Sequence, residues 1–446
     1  MIVMKFGGSS VANAERVRHV AEIVQGELAR KPVLVVSAMG NTTDHLLESA
    51  EAALKTRSVS ITKIEELHNK AIQELKLNAV VHEEIRSMFE ELRSLLIGIS
   101  MIRELTNKTR DYLVSFGERL SARIIAAYLY SIGCKAKALD AWDAGFCSDS
   151  NFSSAWLLKK SWSLIPERLL PLINEGVLPV LTGFIAKDEK GNITTLGRGG
   201  SDLSATVTAA ACQAEEAQVW KDVDGILTAD PRLVPDALLV DEVSYEEAAE
   251  LAYFGAQVLH PRAMQPCAKM GIPVRVKNSY NPKARGTLIV ASVEKTRPVV
   301  AITSRKNVTL VDIVSTRMVG QPGFLKKVFS AFAEYSISVD MVATSEVSVS
   351  LTVDAEYDLA EVEVALSALS TVDIKTGKAI VTIVGDVKRS SEILSRIFGV
   401  CTAIGVQAQM LSQGASKVNI SFIVNDSEST DVVKAIHHNF FGGNVC

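Results

Sequence analysis

Leu196-Gly197-Arg198-Gly199-Gly200-Ser201-Asp202 is the stretch from which the organisation of this chain can be read. Three glycines around one arginine let the backbone come close to a ligand, because no Cβ stands in the way. Directly behind them, Leu203-Ser204-Ala205-Thr206-Val207-Thr208-Ala209-Ala210-Ala211 is a helix-forming segment. A tight glycine turn feeding a helix N-terminus presents free N–H groups and the positive end of the helix dipole, a combination suited to an anion. Arg198 adds a planar fork for a carboxylate or phosphate. Asp202, in the first turn, is placed to organise a lysine, a metal or a substrate amine. On this stretch alone two readings stay open, an anion site and a plain left-handed glycine turn.

Working outward, Ile2-Val3-Met4-Lys5-Phe6 reads as a short strand that ends in Gly7-Gly8-Ser9-Ser10, with helical periodicity following through Val17, Val20, Ala21 and Val24. Pro32-Val33-Leu34-Val35-Val36-Ser37-Ala38 is apolar on both faces, the mark of a buried parallel strand, and runs into the loop Met39-Gly40-Asn41-Thr42-Thr43-Asp44 before a helix carrying Leu46 and Leu47. Strand, small-residue loop and helix, twice over, is the α/β pattern, whose loops lie where such sheets bind ligands. From about Glu65 to Ala127 the chain is nearly all helical, a subdomain inserted at about 60–130. Within it, Phe116-Gly117-Glu118-Arg119-Leu120-Ser121 is expected to break the pattern with a glycine beside a carboxylate. Strands return at 135–139 and 177–184, and a hairpin over Ile185–Thr195, turning at Lys190-Gly191-Asn192, delivers the opening loop. Then come a strand at Ala217–Lys221, a turn at Asp222–Gly225, a loop at Asp230-Pro231-Arg232, helices carrying Tyr245–Gly255 and His260–Met270, and a strand at Pro273–Lys277.

A chain of 446 residues exceeds one ordinary core, so two or three domains are expected. Its 48% apolar and 22% charged residues are the balance of a soluble globular protein. A net charge of −4 without a basic run argues against nucleic acid as a partner. With no signal-peptide layout and no apolar stretch of about 18 residues, a cytoplasmic protein without a membrane span is expected. The six scattered cysteines read as reduced thiols, and the seven histidines show no metal-ligand spacing, so no protein-built metal site is expected.

Around Ala291–Pro298 the character shifts, and an internal repeat begins. An offset of 69 residues (394 − 325) pairs Leu325 with Leu394, Phe329 with Phe398, Ile337 with Val406, Met341 with Met410, Val349 with Val418 and Leu351 with Ile420. Each copy reads strand, helix, strand, strand, helix. A unit this small covers its sheet by packing on its copy or on another chain, so a homodimer is expected. The copies agree in apolar but not in polar positions: Asp340, Thr344, Ser345 and Glu346 of the first face Gln409, Gln413, Gly414 and Ala415 of the second. That asymmetry reads as a site for a cationic ligand in copy one, against the alternative of a solvated strand edge.

Lys5, ahead of a glycine turn, can reach a phosphate cradled by backbone N–H groups. Phosphoryl transfer needs positive charge spread over the transferring group, so a lysine, helix N-termini and Mg²⁺ suffice. The chain has no G-x-x-x-x-G-K-[ST] loop, which argues against a P-loop fold, and no G-x-G-x-x-G-x-V or H-R-D signature, which excludes a protein kinase.

Lys5-Phe6-Gly7-Gly8-Ser9-Ser10-Val11, the loop Ser37–Thr43, Phe116-Gly117-Glu118, Gly197–Asp202 and Phe254-Gly255-Ala256-Gln257-Val258-Leu259-His260-Pro261 together resemble aspartokinase, in that order, and the carboxyl-terminal repeats resemble its tandem ACT domains. The resemblance implies a mostly parallel amino acid kinase sheet between helices over 1–294, with ACT domains at 305–378 and 379–446, the last segment pairing back with the first of them. It implies ATP- and Mg²⁺-dependent phosphorylation of the L-aspartate side chain, the first step towards lysine, threonine and methionine. Lys5 and Asp202 would be catalytic, Ser37, Thr42, Glu118, Arg198 and Ser201 would hold aspartate, and Lys5, Gly7, Gly8, Ser9, Lys221, Asp222, Leu227, Arg232 and Gln257, beside Trp220, would line the nucleotide site. A dianionic, monocationic substrate needs one fork donor, one carboxylate and hydroxyl donors, and those residue types are present. Two positions depart from the family: glutamine stands at 257 where lysine is frequent, and leucine at 227 where tyrosine is. The insert and the stretch Ser338–Ser348 resemble the lysine-sensitive branch, which implies an effector site of Met318, Phe324, Leu325, Val339, Asp340, Thr344, Ser345 and Glu346, taking L-lysine or, alternatively, threonine. Dimer or tetramer stays open, as do two other functions: another amino acid kinase, and an amino acid sensor with weakened catalysis.

Overall fold

The apolar runs of the amino-terminal half become the middle of one sheet. In the computed structural model, which describes residues 1–253, 259–294, 297–315, 322–413 and 418–442, strand β1 (Ile2–Phe6) is buried along its whole length. The described chain falls into two units, Met1–Ile226 with Asp241–Tyr245 and Val258–Val293, and Leu227–Val240 with Glu246–Gln257 and Glu294–Cys446. Two segments within 1–294 therefore fold with the second unit.

In chain order the first unit's strands are β1, β2 (Val33–Val36), β3 (Ala136–Leu139), β4 (Cys147–Ser148), β5 (Leu178–Thr182), β6 (Ile185–Asp188), β7 (Ile193–Thr195), β8 (Glu216–Lys221), β9 (Glu242–Ser244), β10 (Val274–Asn278) and β11 (Thr287–Val290). Its helices are α1 (Ala14–Gly26), α2 (Thr42–Thr56), α3 (Thr62–Glu74), α4 (Ala79–Ile102), α5 (Asn107–Ser131), α6 (Ser161–Asn174) and α7 (Gly200–Ala211), with α8 (Tyr245–Tyr253) starting at its border and α9 (Pro261–Met270) back within it. The main sheet runs β3-β5-β2-β1-β8-β10-β11-β9. Strand β1 lies parallel to β2 on one side and to β8 on the other, with Lys5 in register with Val35 and Val219. The chain leaves β1 in one direction and later returns on its other flank, so the carboxyl ends of β1, β2 and β8 open on a switch-point crevice.

Val17, Val20 and Val24 of α1 and Ile85, Phe89 and Leu92 of α4 share one buried cluster with Met4, Phe6, Leu34 and Val36. The helical insert is thus welded to the sheet. The expected break at Phe116–Ser121 does not occur, because α5 runs unbroken from Asn107 to Ser131. Gly117 has a different reason: a Cβ there would lie 2.7 Å from the Cβ of Ala38. The glycine lets a helix lie against the loop after β2, a packing need that local sequence does not distinguish from a helix break.

The second unit holds β12 (Val299–Val314), α10 (Phe324–Glu334), β13 (Val339–Thr344), β14 (Ser348–Asp354), α11 (Ala360–Ser367), β15 (Thr371–Gly385), α12 (Ser390–Ala403), β16 (Met410–Ser412), β17 (Asn419–Asn425) and α13 (Asp426–Phe441). Both copies of the repeat have the expected element order, and they share one sheet, β13-β14-β12-β15-β17-β16. The later half of β12, from Val308, pairs with β14, whereas its first half, Val299–Arg305, pairs with Ile380–Gly385 of β15, which borders β17. The strand that opens copy one thereby completes the sheet of copy two. Helix α13 packs into copy two's core, where Val432, Val433 and Ile436 join Val299, Ile302, Ile397 and Phe422. Met341 and Met410, paired by the repeat, meet in a shared cluster with Ile380. Leu325 and Phe329 are instead 39% and 37% exposed, and Phe398 is 37% exposed. Among the described residues no helix is long and apolar enough to cross a membrane.

Candidate active site

At the end of β1 the chain carries a buried ion pair. Lys5 Nζ lies 2.7 Å from Asp202 Oδ1, and Lys221 Nζ, at the end of β8, lies 4.0 Å from Asp202 Oδ2. Asp202 stands in the first turn of α7, after Gly199 in the left-handed conformation (φ 69°), so the helix dipole and two ammonium groups act on the same carboxylate. Burial pushes the Asp202 carboxyl up, but the Lys5 and Lys221 charges outweigh it and hold it below the ordinary range. Burial also lowers the Lys221 ammonium, partly offset by Asp202. Each member is expensive to bury alone, and the pair persists because the partners lie within hydrogen-bond reach.

The walls are built by close approach. A Cβ on Gly8 would stand 3.0 Å from the carbonyl oxygen of Ala38, and one on Gly200 would stand 2.7 Å from the Phe184 ring. The glycine turn is braced from behind: Ser10 and Ser279 hydroxyls lie 2.8 Å apart, and Arg16 Nη2 donates to Ser279 Oγ at 2.9 Å and to its carbonyl at 3.0 Å. These loops enclose a cavity of about 560 Å³ lined by Lys5, Gly8, Ser37, Thr43, Arg110, Asp111, Glu118, Arg198, Ser201 and Asp202, among others. Arg198 is exposed at its edge, and among the described residues no hydrogen bond or ion pair is recorded for its guanidinium.

Glu118, on α5, is buried. Its Oε1 accepts the Ala38 N–H at 3.3 Å, and its Oε2 has no partner. Burial pushes its pKa up to about 8, against the lowering effect of the Ala38 N–H and of Lys5. The side chain therefore holds a proton at neutral pH and ionises when a cation docks beside it. One part of the cavity favours negative charge and a neighbouring part is poised for a single positive group.

Residues 1–278 match the model of the amino acid kinase family, and residues 311–371 and 381–440 match that of the ACT domain. Aspartokinase 1, chloroplastic, from Arabidopsis thaliana is 49% identical over 457 residues, which cover 98% of this chain and 80% of that protein. The chain belongs to the aspartokinases. Lysine-sensitive aspartokinase 3 from Escherichia coli is 34% identical over 451 residues, 99% of each protein. E. coli aspartokinase III solved in complex with aspartate and ADP (R-state) superposes with a TM-score of 0.82 at 33% identity, covering 99% of this chain and 100% of that one. The same enzyme in complex with lysine and aspartate (T-state) gives 0.81 at 33% identity, with 99% of each chain covered. An aspartokinase is a phosphotransferase, which accords with a cavity lined by a lysine, two arginines and a helix N-terminus.

In this aspartokinase Lys5, Ser37, Glu118, Arg198, Ser201 and Asp202 face one cavity. Thr42 does not: it is fully buried and its hydroxyl donates to the Met39 carbonyl, while its neighbour Thr43 lines the wall. Two adjacent threonines in a loop carry no sequence signal for which one faces inward. Gly7, Ser9, Lys221 and Asp222 lie at the ends of β1 and β8. Leu227 and Arg232 belong to the second unit, where Arg232 pairs with Asp230 at 2.6 Å, and Gln257 lies outside the described residues. Asp111 was not anticipated. Buried in α5, it accepts the N–H groups of Ser153 and Thr195, each at 2.8 Å, and so ties two cavity loops to the helix. Arg110 beside it lines the cavity. Their signal lay in the spacing to Glu118, which puts Asp111 two turns back on the same face.

Of the effector set, Met318 lies outside the described residues and Phe324 is core. Asp340 meets Arg305 Nη1 at 3.1 Å and the Tyr253 hydroxyl at 2.9 Å, with Oδ2 buried and unpartnered. Ser345 caps its own turn, bonded to the Ser348 hydroxyl and N–H, and Glu346 is exposed in that turn. Asp340 lies within β13, and Glu346 stands in the turn just beyond its end.

Proposed function

We propose that this enzyme transfers the γ-phosphoryl group of ATP to the side-chain carboxylate of L-aspartate. A carboxylate oxygen attacks the γ-phosphorus, the bond to the β-phosphate oxygen breaks, and ADP and 4-phospho-L-aspartate result. The buried Lys5–Asp202 pair at the mouth of the central strand carries the reading. Lys5 neutralises the transferring group, and Asp202, held ionised, keeps Lys5 aimed. Arg198 grips the α-carboxylate and Glu118 the ammonium, with Ser37, Thr43 and Ser201 as hydroxyl donors.

The close approach at Gly8 and the α7 N-terminus suit nucleotide phosphates. Mg²⁺ bound with the nucleotide would spread the charge of the transferring group, in keeping with its preference for phosphate and water ligands. The product feeds the amino acid biosynthesis that the resemblance implies, and free cysteines fit a reducing cytoplasm.

We further propose L-lysine as the inhibitor. The E. coli relative is named lysine-sensitive and was solved with lysine in a T-state. Asp340 and Glu346 meet the inhibitor's ammonium groups, in a homodimer for which the exposed Leu325 and Phe329 supply an apolar face. The domains are 1–294 for catalysis and 305–378 and 379–446 for the two ACT domains. Aspartate-dependent ADP release with Mg-ATP, with and without millimolar L-lysine, tests both readings. No turnover at any aspartate concentration removes the first; turnover indifferent to lysine but inhibited by threonine replaces the effector.

A further inference from the structure

A second cavity, of about 450 Å³, lies on the other side of α5. At roughly 100° per residue, Lys108, Tyr112 and Arg119 share one face of that helix, and Asp111, Val114 and Glu118, which line the first cavity, share another. The hairpin contributes to both, with Lys187 and Ile193 lining the second cavity and Thr195, further along the strand, the first.

Three cations, Lys108, Arg119 and Lys187, look into this space against one carboxylate, Glu91. Arg119 is the telling member. Its side chain is only 13% exposed, yet Nε and Nη1 are buried without a hydrogen-bond partner. The guanidinium lies over the Phe116 ring at 4.9 Å, and the two carboxylates in ion-pair range each hold a closer partner. Asp140, 3.9 Å away, takes both Arg123 nitrogens at 3.0 and 3.2 Å, and Glu91, 3.6 Å away, accepts the Tyr112 hydroxyl. The Lys187 ammonium rests over the Trp142 ring at 4.3 Å, and among the described residues neither Lys108 nor Lys187 has an ion pair within 4 Å. A guanidinium with two buried nitrogens outside any hydrogen bond, beside two lysines around one cavity, is suited to an anion.

We propose that this cavity binds a small, multiply charged phosphate or carboxylate, and that the ligand modulates the enzyme. Arg119 follows Glu118 directly in α5, so an anion that draws Arg119 towards the second cavity turns the helix that carries Glu118 in the first. The ligand thereby tunes how readily Glu118 meets a cation, without entering the first cavity.

Tryptophan emission reads the site, because Trp142 lines it. Full-length protein is titrated with inorganic phosphate and, in a separate arm, with citrate, using Trp142→Phe as the optical control and calorimetry as a second readout. The arm that saturates at lower concentration identifies the anion class. A saturable change that Lys108→Gln with Lys187→Gln weakens about tenfold or more, and that Arg198→Ala leaves in place, supports the site. Both lysines are at or near the surface, so the double variant keeps the fold. No saturable binding of either probe overturns the proposal, and so does binding that the double variant spares or Arg198→Ala abolishes, since the anion then sits elsewhere or in the first cavity.

Discussion

The parallel sheet of the first unit and the antiparallel sheet of the second use charge in opposite ways. At the carboxyl end of β1, side chains from β1, α5 and α7 converge on one cavity, and glycines are spaced so that loops nearly touch. In the second unit the same sheet carries two near-copies whose cores agree while their carboxylates differ, and whose charged residues are spread along strands. Convergence builds chemistry within one chain. Dispersion along an edge leaves those charges at the surface of the sheet.

The comparison breaks first at Lys5. Lys5→Met should lower kcat by roughly 10²–10³-fold, the usual cost of one preorganised charge, while lysine affinity in the second unit is unchanged. Steady-state ADP release together with calorimetric lysine binding checks both halves, and a parallel loss of the two would mean the regions are one structural unit. On the other side, Glu346→Ala should raise the lysine concentration for half-inhibition by about tenfold or more, since a charge-assisted contact is lost. The turn is exposed, so thermal stability should hold, and Gln409→Ala in copy two should leave inhibition as it was.

Close approach is tested at Gly117. Gly117→Ala places a methyl 2.7 Å from Ala38 Cβ and should destabilise the first unit by about 1–3 kcal/mol while raising KM for aspartate, because Glu118 moves with the helix. Urea unfolding and kinetics read this directly.

The smallest effect concerns protons. Glu118 is raised from 4.5 to about 8 in the folded protein. Below pH 4.5 both folded and unfolded states hold its proton; between 4.5 and 8 only the folded state does, so this group's contribution to stability falls as pH rises through that window. Glu118→Gln should flatten that slope in melting temperatures measured from pH 5 to 8. Aspartate binding, which needs Glu118 ionised, should tighten over the same range in the parent enzyme only.

Much of the first unit was legible because its code is local. Apolar runs such as Val33–Val36 announce parallel strands, and glycine-flanked charges such as Lys5 and Asp202 announce strand-end loops. The misreadings share a cause. Gly117 looked like a helix break because sequence shows the missing Cβ but not Ala38, which needs the space. Thr42 and Thr43 differ in the direction of one side chain. The duplicated repeat was visible at once, whereas the sharing of strands between its copies depends on pairing over a long separation.

That sharing has a consequence during synthesis. Val299–Arg305 leaves the ribosome about eighty residues before the stretch of β15 that pairs with it. At roughly 5–20 residues per second, the nascent chain carries an unpaired apolar strand for several seconds, an edge that another growing chain could take up. The two halves of the second unit's sheet therefore cannot mature one after the other, and a messenger truncated between them would yield a sticky product rather than a smaller working domain.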